Sequence, residues 1–133
     1  MKSLENITIK EKNVLLRVDL NIPTKNGLVT DKTRINVIKP TINYLRKNNN
    51  KIFLLSHFGR PGGKFNSKFS LNFLCQILAK SFLAKEIFFA PSLDNNIIKK
   101  TKQKMHLGDI CLLENIRFYI EEETNKNDFA HKL

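Results

Sequence analysis

Two stretches decide how this chain folds: Arg17-Val18-Asp19-Leu20-Asn21-Ile22-Pro23 and Ser56-His57-Phe58-Gly59-Arg60-Pro61-Gly62-Gly63-Lys64. Each follows an apolar run that reads as a strand, Val14-Leu15-Leu16 before the first and Ile52-Phe53-Leu54-Leu55 before the second. Each then breaks into polar groups and turn-formers. In a parallel α/β sheet the loops after the carboxyl ends of strands are where ligands sit. An Asp, an Asn, a His and an Arg at two such ends suit a small, anionic, hydroxylated ligand.

The pattern continues outward from these blocks. Residues 13–18 form the first strand, Asn26-Gly27 is a turn signal, and Leu28-Val29 extends briefly. Thr30 or Asp31 is placed to cap a helix over about 31–48, with Ile35, Ile38, Ile42 and Leu45 at helical spacing. Pro40 lies inside that pattern and predicts a kink or a break near Ile38-Lys39. A strand over 51–56 leads into a loop over 57–69 rich in glycine and proline, which is expected to be mobile. Ser70 is placed to cap a second helix over about 70–83, and Glu86–Ala90 reads as a third strand. A more polar helix follows over 94–104, then a fourth strand over Ile110–Leu113, which ends in Glu114-Asn115-Ile116-Arg117. Residues 125–133 begin another helix. Strands alternating with helices imply right-handed crossovers and a parallel sheet. The nearly continuous apolar strands fit a sheet covered on both faces.

The 133 residues amount to one domain or part of one, with ordinary hydrophobic and charged content of 41% and 26%. No apolar run approaches the ~20 residues that span a bilayer. The amino terminus carries no apolar stretch typical of a signal peptide, which predicts a cytoplasmic protein. Cys75 and Cys111 sit inside apolar patterns and read as buried free thiols, too far apart in sequence for a metal-ligand spacing. A net charge of +11 raises the alternative of a stand-alone basic module for nucleic acid or other polyanions. The lysines, however, are spread over the whole chain, and the group Lys99-Lys100-Thr101-Lys102-Gln103-Lys104 reads as a solvated helix face. Only five of the 23 basic residues are arginines: Arg17, Arg34, Arg46, Arg60 and Arg117. Four of them lie in or beside the polar blocks. A guanidinium binds carboxylate or phosphate through two parallel hydrogen bonds, which lysine cannot do. The arginines, more than the net charge, point to the ligand.

The blocks Arg17–Pro23, Asp31-Lys32-Thr33-Arg34-Ile35, Ser56–Pro61 and Leu113-Glu114-Asn115-Ile116-Arg117-Phe118 resemble, in order and spacing, the N-terminal half of phosphoglycerate kinase. Ile22 and Phe58 depart mildly from the family pattern, which usually has valine and leucine there. The resemblance implies a three-layer α/β/α, Rossmann-like parallel sheet, with residues 1–133 as an incomplete N-terminal domain and the nucleotide-binding domain absent. The implied activity is the glycolytic, reversible phosphoryl transfer between 1,3-bisphosphoglycerate and ADP, giving 3-phosphoglycerate and ATP. By resemblance, Asp19 and Asn21 hold the hydroxyl region of 3-phosphoglycerate. Arg34 meets the carboxylate and is the catalytic residue. His57, Arg60 and Arg117 bind the distal phosphate. Mg-ATP or Mg-ADP would bind in the second domain, so no cofactor or metal site is expected here. No Gly-x-x-x-x-Gly-Lys-Ser/Thr loop occurs in its place. Neither nucleic acid nor membrane is expected as a partner, the whole enzyme would be a monomer, and this chain alone is expected to be inactive. Val14-Leu15-Leu16 is expected to lie at a sheet edge, with low stability as the consequence.

Overall fold

Along the strand that reads Ile52-Phe53-Leu54-Leu55, alternate side chains enter two different hydrophobic layers, as period-two geometry requires. The computed structural model describes residues 9–22, 24–25, 28–58 and 70–115. In chain order its elements are β1 (Asn13–Arg17), β2 (Thr24–Lys25), β3 (Leu28–Val29), α1 (Thr33–Lys47) and β4 (Lys51–Leu55). A short 3-10 turn, Asn72–Leu74, then leads into α2 (Cys75–Ser81), β5 (Phe88–Ala90), α3 (Asn95–Lys104) and β6 (Ile110–Leu113).

β1, β4, β6 and β5 form one parallel sheet in that spatial order, while β2 and β3 pair as a separate antiparallel ribbon. The α/β architecture implied by the sequence is the one found. The chain steps from β1 to β4 and on to β5 in one direction, then reverses to insert β6 between them. Right-handed crossovers therefore put α1 and α2 on one face and α3 on the other. The two cores follow that division. Ile52, Leu54, Ile110 and Leu112 pack with α1 and α2, whereas Phe53, Leu55, Cys111 and Leu113 pack with Ile98 of α3. All four residues of the central strand β6 are buried, each apolar side chain contributing roughly 1.5–3 kcal/mol.

Several local expectations change in detail. α1 runs unbroken through Pro40. Pro40 and Asn36, whose carbonyl loses its helical partner, both lie on the exposed side, where water replaces the missing bond. The second helix begins as the 3-10 turn and is shorter than 70–83. The third strand is shortened to three residues. Asp94 caps α3 by accepting from the Asn96 N–H at 2.8 Å, and Lys99, Lys100 and Lys104 are exposed on it. β2 and β3 pair as Thr24 with Val29 and Lys25 with Leu28, which suits a two-residue connection; Asn26-Gly27 itself lies outside the described residues. So do most of the 57–69 loop and the helix expected over 125–133. Among the described residues β1 is an edge strand, with Leu15 37% exposed. Cys75 and Cys111 are free thiols, and burial pushes them up to about 11 and about 12.

At the amino edge of the sheet, Asn50 is wholly buried. Its side chain accepts from the Lys12 N–H at 3.0 Å and donates to the carbonyls of Ile9 at 3.0 Å and Leu45 at 2.9 Å. Its own carbonyl accepts from Gly108 N–H at 2.9 Å. Its side chain thus ties the entry to β1 to the end of α1, and its backbone carbonyl adds the approach to β6. Gly108 makes that approach at φ +90°, a conformation closed to most side chains. Replacing Asn50 by alanine removes the side-chain partner of the part-buried Lys12 N–H and Ile9 carbonyl, while the Leu45 carbonyl keeps the Asn50 backbone N–H, and urea unfolding is expected to show a loss of roughly 1–3 kcal/mol. A loss below about 0.5 kcal/mol would contradict this role for the amide.

Candidate functional site

The carboxyl ends of β1, β4 and β6 lie on one edge of the sheet, and the polar residues that follow them are bound to each other. After β1 the chain continues as Val18-Asp19-Leu20-Asn21, and Leu20 is buried while Asp19 stays exposed. Alternation along this extended segment therefore turns the carboxylate outward. Asp19 Oδ1 accepts from the Asn21 N–H at 3.1 Å, which shapes the turn. It also accepts from Arg34 Nη1 at 3.2 Å. The same Nη1 donates to the Asn21 carbonyl.

Arg34 reaches this point because it occupies the first turn of α1. Asp31 sets that turn: its Oδ1 accepts from the Thr33 N–H at 2.8 Å and the Thr33 hydroxyl at 2.6 Å. The Arg34 and Asp19 side chains remain 46% and 57% exposed. An ion pair this wet adds little stability, but it points the guanidinium. Both hydrogen bonds use Nη1, so among the described residues the Nη2 and Nε edge of the fork is left to a ligand. Beside it lies a cleft of about 450 Å³ lined by Leu16, Arg17, Val18, Asp19, Arg34, Val37, Ile38 and Thr41. It is an open pocket with a charged end and an aliphatic wall.

His57 stands two residues past the end of β4, half-buried. The buried Ser56 hydroxyl before it accepts from the Leu20 N–H at 2.9 Å and donates to the His57 carbonyl at 3.3 Å. That single oxygen joins the Asp19–Asn21 turn to the His57 turn. Beyond β6, Asn115 is wholly buried. Its Oδ1 accepts from the Phe58 N–H at 3.2 Å and its Nδ2 donates to the Phe58 carbonyl at 2.7 Å. Glu114 accepts from the Leu71 N–H at 2.9 Å, the Asn115 N–H at 2.8 Å and the Ser70 hydroxyl at 2.7 Å. Its carboxylate is occupied in holding the start of the second helical segment.

The structure therefore brings together Asp19, Asn21 and Arg34, and places His57 on the neighbouring turn through Ser56. Arg60 and Arg117 lie outside the described residues. Sequence reasoning left Ser56 and Asn115 without a role. The signal available for them was a polar residue directly beyond an apolar strand, where a buried group must find a partner.

The family profile described as "Phosphoglycerate kinase" matches residues 4–133. The chain belongs to the phosphoglycerate kinase family. It is 44% identical over 131 residues to phosphoglycerate kinase from Wolbachia pipientis subsp. Culex pipiens, covering 98% of this chain and 33% of that protein. It is 39% identical to the enzyme from Borrelia hermsii over 133 residues, covering 100% and 34%. The crystal structure of phosphoglycerate kinase from Pyrococcus horikoshii OT3 superimposes with a TM-score of 0.83 at 26% identity, covering 99% of this chain and 34% of that one. Phosphoglycerate kinase from Coxiella burnetii gives 0.76 at 32% identity, covering 97% and 31%. The chain spans about a third of the length of these relatives.

The Asp31–Thr33 turn carries a pH dependence. The Thr33 hydroxyl first, and then its N–H, hold the Asp31 carboxyl below its ordinary value of 3.8. Its contribution is complete above 3.8 and is lost as pH falls through the lowered value. An NMR titration is expected to show the Thr33 amide proton moving with a midpoint below 3.8, with Arg34 following. A midpoint at or above 3.8 would contradict the turn.

Proposed function

We propose that this chain is the 3-phosphoglycerate side of a phosphoglycerate kinase, with residues 1–133 forming most of an N-terminal domain. In this reading Asp19 and Asn21 hold the hydroxyl region of the substrate, and Arg34 meets its carboxylate. His57, Arg60 and Arg117 take the distal phosphate. The observation that carries the reading is the Asp19–Arg34 pair at the mouth of the cleft, its guanidinium aimed by one nitrogen with the rest of the fork available.

Phosphoryl transfer asks a protein mainly for positioning and charge neutralisation. In the family reaction the acyl-phosphate bond of 1,3-bisphosphoglycerate breaks as the phosphoryl group passes to ADP, leaving a carboxylate. Arg34 is the catalytic residue of this proposal. Its cation offsets the charge that remains on that carboxylate, and in the reverse direction it lets two anions approach. The distal phosphate serves as a handle whose binding energy orients the reacting end.

Mg-ATP and Mg-ADP are the cofactors that the family reaction calls for. Among the described residues no group of three His, Cys, Asp or Glu side chains is arranged to hold a metal ion. We place that site outside this chain, and we expect the chain alone to bind 3-phosphoglycerate weakly without transferring phosphate. Also among the described residues, no helix is long and apolar enough to cross a membrane. A glycolytic role in the cytoplasm follows from the family and stands as part of the proposal.

Calorimetric titration with 3-phosphoglycerate tests the assignment of Arg34. Arg34→Met is expected to weaken binding roughly 10- to 100-fold, the scale of a lost hydrogen bond to a charged group. Arg34→Lys should fall between, since it keeps the charge but loses the fork. Equal affinity in all three proteins would contradict the role. Polyanion binding that is indifferent to Arg34 and falls steeply with salt would favour a basic binding module instead.

A further inference from the structure

The amide of Asn115 makes a closed pair of hydrogen bonds with a single residue of another loop. It accepts from the Phe58 N–H and donates to the Phe58 carbonyl, at 3.2 Å and 2.7 Å. Side chain and backbone meet there as two strands would, though 57 residues separate them. Asn115 is completely buried, and Glu114 Oε1 accepts its backbone N–H at 2.8 Å. A buried side chain held at both ends has little freedom, so the position of the β6 end is passed to Phe58.

Phe58 is also held from its own side. Its ring lies 5.3 Å from the ring of Phe73, tilted by 60°, which joins it to the turn that Glu114 secures through Leu71. The turn carrying His57 is thus fixed at Ser56 by the Leu20 bond and at Phe58 by Asn115. In sequence, Arg60 stands two residues after Phe58 and Arg117 two residues after Asn115.

We propose that Asn115 is a positioning residue: its paired hydrogen bonds to Phe58 set the His57 turn against the end of β6 and so hold His57 in place for the distal phosphate. The proposal rests on the assignment of His57 to the distal phosphate. It requires no contact between Asn115 and substrate. A simple packing role would affect the whole fold and every ligand alike, whereas a positioning role acts on the phosphate end alone.

The test compares 3-phosphoglycerate with glycerate, which lacks the phosphate, in the full chain and in Asn115→Leu and Asn115→Asp. Leucine removes both bonds. Aspartate retains the acceptor but, when ionised, loses the donor. Asn115→Leu is expected to lower affinity for 3-phosphoglycerate on the order of 10-fold, the scale of one hydrogen bond to an anion, and to leave glycerate affinity unchanged. Asn115→Asp should show a smaller loss. Equal losses for both ligands would overturn the proposal in favour of general packing. A measurement on the ligand-free chain decides the matter separately. In Asn115→Leu the His57 ring resonances and the Phe58 amide should shift and the Phe58 amide lose exchange protection, with Asp19 and Arg34 unmoved. Unchanged His57 and Phe58 signals would overturn the proposal. Failure of the unmutated chain to bind 3-phosphoglycerate, together with the ligand-free change in Asn115→Leu, would remove the functional reading while supporting the positioning of the turn. Should Asn115→Leu fail to fold, the ligand-free comparison is made on Asn115→Asp, where an unshifted Phe58 amide counts against the clamp.

Discussion

Parallel strands deliver their carboxyl ends to one edge of the sheet, and polar residues buried there must satisfy each other. In this chain that constraint organises the site. Ser56 binds Leu20, Asn115 binds Phe58, and Glu114 binds Ser70 and Leu71. The first two cross from one strand end to another and the third from a strand end to the start of a helical segment, and each joins a buried group whose loss of a partner would cost about 1–3 kcal/mol. Stability and site geometry are therefore served by the same contacts. The exposed groups, Asp19 and Arg34, contribute little to stability and are free to act on a ligand.

The opposite edge has its own version of the arrangement. Asn50 ties β1, α1 and the approach to β6 together, so the sheet is gripped at both ends of its strands. Between those ends the two hydrophobic layers need only alternate along β4 and β6. The result separates roles by position: apolar residues within the strands, buried amides and a hydroxyl just beyond them, and charged groups outermost. A ligand at the carboxyl edge meets the charged layer first, backed by groups that are already hydrogen-bonded.

Much of this was readable from the residues. The apolar runs at Val14–Leu16, Ile52–Leu55 and Ile110–Leu113 became β1, β4 and β6; β4 and β6 are buried as their apolar content demands, while β1 pairs at the edge with no residue fully buried. The helix starts were legible only to within a residue or two: Lys32, without a side-chain cap, takes the place offered to Thr30 or Asp31, Asp31 instead shaping the preceding turn, and Leu71 takes the place offered to Ser70. The placement of β6 between β4 and β5 was not readable, since strand order depends on which faces the helices cover. Of the two outcomes offered at Pro40, the break near Ile38-Lys39 does not occur, because the unpaired carbonyl lies on the side of the helix that faces water. In the site, Asp19, Asn21 and Arg34 were visible as polar residues beside turns, and the structure unites them. Ser56, Asn115 and Asn50 were hidden, because their partners are backbone groups 36 to 57 residues away that no local pattern marks.

The central claim is that the carboxyl edge of β1 and β4 is a pre-organised anion site. The direct measurement is an amide NMR map of the whole chain titrated with 3-phosphoglycerate. The account predicts dispersed resonances with saturable shifts at Asp19, Asn21, Arg34 and His57, and none at the lysines of α3 or at Asn50. Shifts spread over the lysine-bearing surfaces, with Arg34 and His57 silent, would contradict it.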